Sequence, residues 1–342
     1  MNVLITGGGG FIGSRLASAL LARGRLGGAA IDRIVLADQV APRAELASDP
    51  RVETRIGTLA EQCEALGREG FDGVFHLASA VSGECEADFD LGLRSNLDTT
   101  RALLDALRAA TGRGGPPPRL VFSSSVAVFG PDPSVPLPAL VGDDTLPAPK
   151  TSYGTQKFIC EQLVADYSRK GFIDGRSARL MTVTVRPGKP NRAASSFFSG
   201  IVREPLAGVE AICPVSPDVS HPLTSAARTV EGLIAVYEAS VEQLGGRLAL
   251  NLPALNATVA EMLAALEEVA GPEVRERVRF VRDETIANIV ANWPKGATAA
   301  RAARLGLRPD KSFADIIRQY IADCRAGPDA AQSLKGLAKE RS

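Results

Sequence analysis

Tyr153 and Lys157 stand four residues apart in Tyr153-Gly154-Thr155-Gln156-Lys157, a spacing that puts both side chains on one face of a helix. A free phenol, with a pKa near ~10, is no base at neutral pH. A lysine ammonium a few ångströms away favours the phenolate and lowers that value. Ser123-Ser124-Ser125 ends the apolar run Leu120-Val121-Phe122. The hydroxyls therefore fall at the carboxyl edge of a strand, where open α/β sheets hold their ligands. A hydroxyl there can hydrogen-bond the oxygen that a tyrosine base deprotonates, so the chemistry served is proton removal from an alcohol.

A second group of residues points to the electron acceptor. Gly7, Gly10 and Gly13 fit G-x-x-G-x-x-G, after the short apolar strand Asn2 to Ile5 and at the opening of a helix that begins with Phe11 and Ile12. The first glycine permits a tight turn, the second lets backbone approach a diphosphate, and the third lets helix and strand pack closely. Asp38 ends the next apolar run, Ile34-Val35-Leu36-Ala37. A carboxylate there accepts hydrogen bonds from both adenosine ribose hydroxyls and repels a 2′-phosphate, which argues for NAD over NADP. Arg15 and Arg43 lie nearby in sequence and soften that preference. The positive ring of an oxidised nicotinamide would give a second push towards the Tyr153 phenolate.

The elements that must position these groups alternate. Strands are expected at Val52–Ile56, Gly73–Leu77, Leu120–Ser123 and Leu180–Val185. Helices are expected at about Asp88–Ala110 and at Ser152–Tyr167. The reading is an α/β fold with a doubly wound parallel sheet of the Rossmann kind. Continuous apolar strands suit a sheet buried on both faces. After Arg186 the periodicity lapses through a proline-rich stretch to Pro222. Ala226–Ala239 then reads as a helix, Leu248–Leu252 as a strand returning to the sheet, and Val259–Ala270 and Phe313–Asp323 as amphipathic helices. The expected division is a cofactor domain of residues 1–185 and 224–252, a substrate lobe of 186–223 and 253–326, and a polar, frayed tail of 327–342. With 342 residues, 45% apolar and 23% charged, the chain is long enough to bury a core without staples. Lys plus Arg and Asp plus Glu are both 39, so no excess charge draws it to nucleic acid or to an anionic membrane. Five scattered cysteines without a C-x-x-C pair support neither a disulfide framework nor a metal site. No apolar run approaches the roughly 18–20 residues of a membrane helix, and no signal peptide opens the chain. A cytoplasmic protein is expected.

Thr6 to Gly13 (T-G-x-x-G-F-I-G), His76 to Ser79 (H-L-A-S), Ser123 to Gly130 (S-S-S-x-x-V-F-G) and Y-x-x-x-K together resemble the extended short-chain dehydrogenase/reductase superfamily, in order and spacing over roughly residues 1 to 325. The resemblance implies a sheet of about seven strands with a smaller substrate lobe. It implies that Ser125 is the catalytic hydroxyl and Tyr153 the base. Lys157 then binds the nicotinamide ribose and tunes Tyr153, and Asn96 supports that lysine through water or backbone. Leu77, Ala78 and Ser79 would line the cofactor, and Pro187 would sit beside the nicotinamide. Two positions depart from the pattern. Gly57-Thr58-Leu59 lacks the usual aspartate that contacts the adenine, so Thr58 and Leu59 approach it without a charge-assisted hydrogen bond. Phe129 replaces a tyrosine.

The segment Arg186-Pro187-Gly188-Lys189-Pro190-Asn191, with Arg203-Glu204-Pro205-Leu206, Asn292-Trp293-Pro294 and Arg304-Leu305-Gly306, resembles one group within that superfamily, the D-erythronate dehydrogenases. The resemblance implies NAD-dependent oxidation of the C2 hydroxyl of a four-carbon sugar acid to a 2-oxo acid. Lys189, Asn191, Arg192, Ser195 and Ser196 are of types suited to clamp a small hydroxy acid, alongside Ser125 and Tyr153. His221 reads either as a substrate contact or as an exposed or capping residue, and His76 as a buried strand-end residue. The competing functions are an NAD-dependent sugar-nucleotide epimerase or dehydratase, which returns its hydride to its own intermediate, and a non-catalytic NAD-binding sensor. By analogy with the family, a homodimer through the Asp88–Ala110 and Ser152–Tyr167 helices is expected.

Overall fold

Residues 1–188 and 193–337 are described in the computed structural model. Seven strands make the central sheet: β1 (Asn2–Thr6), β2 (Arg33–Asp38), β3 (Val52–Ile56), β4 (Gly73–His76), β5 (Arg119–Ser125), β6 (Asp174–Leu180) and β7 (Leu250–Asn251). All pair in parallel, in the order β3-β2-β1-β4-β5-β6-β7. The order reverses between β1 and β4, and their carboxyl ends open the crevice where such sheets bind ligands.

Alternating side chains of each strand feed opposite faces. On one face Val3, Ile5, Ile34, Leu36, Phe75 and Val121 pack with Leu16, Ala17 and Leu20 of α1 (Phe11–Arg23) and with Val230 and Leu233 of the later helix Ala226–Glu238. On the other, Leu4, Val35, Val74, Leu120 and Phe122 meet α2 (Leu59–Glu69), α3 (Thr99–Gly112) and α4 (Ser152–Arg169). Each such side chain, fully buried, contributes about 1.5–3 kcal/mol. A third core lies off the sheet. There α5 (Ser196–Leu206), with Phe198, Ile201 and Val202, packs on α7 (Val259–Ala270) and α8 (Phe313–Arg325), where α6 denotes Ala226–Glu238.

Several boundaries differ from expectation. The strand expected at Leu180–Val185 runs instead over Asp174–Leu180, and Thr182–Val183 joins a separate three-stranded sheet with Ser220–Thr224 and Leu255–Thr258. The polar β6 is stable inside the fold because its charges are matched. Arg179 forms a two-pronged pair with Glu161 at 2.9 and 2.8 Å, and Arg176 donates to the Ala239 carbonyl at 2.9 Å. The helix expected at Asp88–Ala110 is broken into Ser82–Ala87, Phe89–Gly92, a π-helical turn Leu93–Asp98, and α3. α5 lies inside the proline-rich stretch, with Pro205 in its last turn, where the missing periodicity hid it. Of the tail expected to fray, residues 338–342 lie outside the described residues, and the rest includes a short helix, Ala330–Ser333. Leu334 and Leu337 pack on the third core, and the Gly336 amide donates to the Leu206 carbonyl at 2.8 Å. Among the described residues no helix is long and apolar enough to cross a membrane, and all five cysteines are free thiols.

Candidate active site at the carboxyl edge of the sheet

β5 and α4 form one wall of the crevice. The last three residues of β5 each meet a different turn of α4. The Ser125 hydroxyl hydrogen-bonds Tyr153, the Ser123 carbonyl accepts from Lys157 Nζ at 2.8 Å, and the Ser124 hydroxyl donates to Glu161. Tyr153, Lys157 and Glu161 follow at steps of four, so one stripe of the helix carries all three. Thr151 caps α4, its hydroxyl accepting from the Gly154 amide at 3.0 Å, and so fixes where the stripe begins. A Cβ at Gly154 would lie 2.1 Å from the Ala127 carbonyl oxygen. Only glycine lets the helix come this close to the segment after β5.

Burial pushes the Tyr153 phenol above its ordinary pKa, while the Ser125 and Ser79 hydroxyls and the Arg186 charge pull it down. The expectation from sequence was that Lys157 is the tuning cation. The Lys157 ammonium is turned to the Ser123 carbonyl and lies 5.6 Å from the centre of the Tyr153 ring. Burial lowers its own pKa to about 8, with Glu161 among the groups that oppose the shift. The cation acting on the phenol is Arg186, from the opposite wall. Asn96 also differs from expectation. Its amide nitrogen donates to Gln156 Oε1 at 2.8 Å, and its amide oxygen accepts from the Ser79 hydroxyl and the Ala80 amide at 3.0 and 2.8 Å. Its carbonyl accepts from Thr100 and Cys160 rather than from Lys157. The π-helical turn aims this side chain at the 79–80 loop, so it ties that loop to the neighbour of Lys157.

The glycine loop has the geometry its spacing implies. Gly7 has φ 72°, and a Cβ on Gly13 would lie 2.1 Å from the Gly7 carbonyl oxygen. A Cβ on Gly10 would meet only that oxygen, at 3.2 Å, which leaves the loop open outward. No side chain caps the start of α1, so its first amides and positive end face the crevice, where they suit a diphosphate. Asp38 accepts from the Gly9 and Val40 amides at 3.0 and 3.2 Å, holding its carboxylate against the loop. These residues fit a dinucleotide. Thr58 caps α2 by accepting from the Glu61 amide, and Leu59 is buried in the core beneath. The Leu77 and Ala78 amides donate to the Thr6 hydroxyl at 3.2 and 3.3 Å.

A cavity of about 1540 Å³ joins the two halves. Phe11, Ile12, Leu77, Ser79, Ser125, Tyr153 and Lys157 line it from the sheet, and Arg186, Ser195, His221 and Trp293 from the lobe. Pro187 is partly buried and does not line it. Lys189, Asn191 and Arg192, expected as substrate contacts, lie outside the described residues. Ser195 is directed to Arg186, accepting from its guanidinium at 2.9 Å. Both histidines are buried. His76 bridges the Thr6 and Thr100 hydroxyls, and burial with the Lys157 charge holds its pKa down at about 3. His221 is stacked on Phe198 at 5.1 Å and near Trp293 at 5.2 Å. Its Nδ1 faces the Pro294 carbonyl and must carry the proton, which leaves Nε2 to accept from the Thr182 hydroxyl. Burial lowers its pKa to about 4. It is a neutral wall residue, neither exposed nor a cap. Sequence reasoning missed Arg186, the Glu161–Arg179 pair and this aromatic stack; the last two join residues well apart in the chain, and only the opening of the Arg186-Pro187-Gly188 stretch hinted at the first.

Residues 3–240 match the model of the NAD dependent epimerase/dehydratase family. The chain is 49% identical over 331 residues to a D-erythronate dehydrogenase of Cupriavidus necator, covering 94% of this chain and 98% of that protein. It is 42% identical to one of Haemophilus influenzae, covering 94% and 99%. A solved structure from Agrobacterium tumefaciens, described as a nucleoside-diphosphate-sugar epimerase, superposes with a TM-score of 0.90 at 44% identity and covers 96% of this chain and 95% of that one.

Proposed function

The chain belongs to the NAD dependent epimerase/dehydratase family, and from that premise we propose that it is an NAD-dependent dehydrogenase that oxidises the C2 hydroxyl of a short sugar acid, D-erythronate to 2-oxo-tetronate. The observation that carries the reading is the Ser125–Tyr153–Lys157 constellation on one wall of a cavity that Phe11 and Ile12, next to the glycine loop, also line. The near full-length likeness to two D-erythronate dehydrogenases supports the substrate class.

Bound NAD supplies the hydride acceptor, held by Gly7, Gly10, Gly13, Phe11, Ile12 and Asp38, with Thr58, Leu59, Leu77, Ala78, Ser79 and Pro187 along its length. Ser125 holds the substrate hydroxyl oxygen. Tyr153 removes its proton as the carbon–hydrogen bond breaks. Lys157, fixed by the Ser123 carbonyl, holds the nicotinamide ribose, and Asn96 steadies the 79–80 loop. Lys189, Asn191, Arg192 and Ser195 are assigned to the substrate on residue type. In this reading residues 1–185 and 224–252 serve the cofactor, and 186–223 and 253–326 the substrate. The working form is a cytoplasmic homodimer. Exposed Phe89 and Ile159, on the helices expected to pair, support that assembly.

One observation favours a second reading, an epimerase of nucleotide sugars: the Agrobacterium tumefaciens structure carries that description. The near full-length likeness to two D-erythronate dehydrogenases weighs against it. Incubation with NAD and a panel of four-carbon sugar acids, followed by NADH absorbance, tests the choice. A dehydrogenase accumulates NADH with the acid. An epimerase accumulates none and interconverts a nucleotide hexose instead.

A further inference from the structure

The residues whose types suggest a carboxylate grip lie between 189 and 196, and Arg186, just ahead of them, is not among them. We propose that Arg186 binds the substrate carboxylate, and that its place in the cavity that Tyr153 also lines is what selects an acid and directs oxidation to C2. This rests on the dehydrogenase reading of the same site.

The Arg186 guanidinium lines the cavity and is partly withdrawn from water. Its side-chain hydrogen bonds go to neutral groups. Nε donates to the Val183 carbonyl at 3.0 Å, and a terminal nitrogen donates to the Ser195 hydroxyl at 2.9 Å. Among the described residues no carboxylate lies within ion-pair distance of it. The carboxylate nearest in kind, Glu204, is taken by Arg203 at 2.5 Å, while Arg203 itself donates to the Arg186 carbonyl at 2.8 Å. The lobe thus neutralises one of two neighbouring arginines and leaves the other. A guanidinium taken out of water without a counter-charge is costly unless an anion completes it. Burial lowers the Arg186 pKa, and the principal opposing influence is the Tyr153 phenol.

An incoming carboxylate supplies the missing charge, and the planar fork of arginine suits it better than a lysine does. Ser195 and the Val183 carbonyl hold that fork in place before binding, so little ordering is left to be done. The position explains the regiochemistry. In a 2-hydroxy acid the reacting carbon is bonded directly to the carboxyl carbon. The anchor for one must therefore share a cavity with the base for the other, as Arg186 does with Tyr153. A hydroxyl further along the chain would lie beyond the phenol.

The test compares D-erythronate with its neutral amide, which keeps the carbon skeleton, in the full-length wild type, Arg186→Met, Arg186→Lys and Arg192→Met. Equilibrium NAD binding serves as the check on folding. For Arg186→Met, kcat/KM on the acid is expected to fall about 100-fold or more, while that on the amide changes by less than about 3-fold. Arg186→Lys is expected to recover part of the loss, because the charge returns without the fork. Arg192→Met is expected to leave the acid-to-amide ratio near the wild-type value. The assignment is overturned if Arg186→Met lowers both substrates equally, if the ratio is unchanged, or if Arg192→Met collapses it instead. Should Arg186→Met fail to bind NAD, the ratio in Arg186→Lys decides, an unchanged value counting against the assignment. A wild type that forms no NADH from any sugar acid strikes down the dehydrogenase reading and this assignment with it. Wild-type turnover with an unchanged ratio in the variants strikes down the assignment alone.

Discussion

Two walls face the same cavity and are built by different means. The wall of β5 and α4 is regular: strand end and helix turn meet residue by residue, and the stripe Tyr153–Lys157–Glu161 follows from helical periodicity. The facing wall, residues 184–188 and 193–195 among those described, is irregular. Its polar groups are held by one another, Arg186 by Ser195 and Val183, and the Ser199 hydroxyl by the Arg186 amide at 3.0 Å and by Thr184. The difference teaches where chemistry and recognition reside. In the proposed reading, proton transfer sits on a scaffold of regular spacing, and substrate choice sits on a connection shaped by contacts among its own polar groups. Changes in the first wall should therefore strike turnover, and changes in the second should strike discrimination.

The largest effect is expected from Tyr153→Phe. It removes the group proposed to take the substrate proton while keeping the ring, so kcat should fall about 1,000-fold with NAD affinity within about 2-fold. Stopped-assay turnover beside a binding isotherm checks both; turnover near the wild-type level would break the contrast between the walls. Next is Ser125→Ala, expected to cost about 100-fold in kcat with the fold intact, because its loss leaves Tyr153 with Ser79 as its remaining hydroxyl partner. Circular dichroism alongside the kinetics separates catalysis from folding.

A smaller effect concerns stability rather than rate. The folded pKa values of His76 and His221, about 3 and about 4, lie below the unfolded value of ~6.5. Both imidazoles are neutral in the fold, so the unfolded chain binds more protons once the pH drops below ~6.5. Stability is whole above that value and is lost as pH falls towards 4 and then 3. Lowering the pH from ~6.5 to ~5 should remove on the order of 2 kcal/mol per histidine. Denaturant melts at the two values measure it, and His76→Gln should flatten the slope. A melt insensitive to pH over this range would contradict the burial of both rings. The smallest effect is expected from Thr58→Asp. Asp keeps the cap on α2 and restores a charged acceptor towards the adenine, so NAD affinity should rise a few-fold. Calorimetric titration would show it, and a weakened affinity would place Thr58 away from the adenine.

The same contrast explains what could be read in advance. The glycine loop, Asp38, the serine row and the Tyr153–Lys157 step are short-range patterns, so the sheet and the β5–α4 wall were legible from residue spacing. β6 was misplaced because Arg176 and Arg179 look unsuited to a buried strand until Glu161 and the Ala239 carbonyl are brought to them. The break in the 82–112 helices arises from a π-helical turn that no apolar spacing signals. Arg186 escaped notice because a charge looks the same whether or not its partner is present, and the absence of an acidic neighbour is visible only in space.

The most direct measurement is NADH formation by the wild-type protein mixed with NAD and D-erythronate, with the 2-oxo acid identified in the same mixture. The account predicts one NADH for each acid oxidised at C2. Absence of NADH with every four-carbon sugar acid, together with interconversion of a nucleotide hexose, would contradict it.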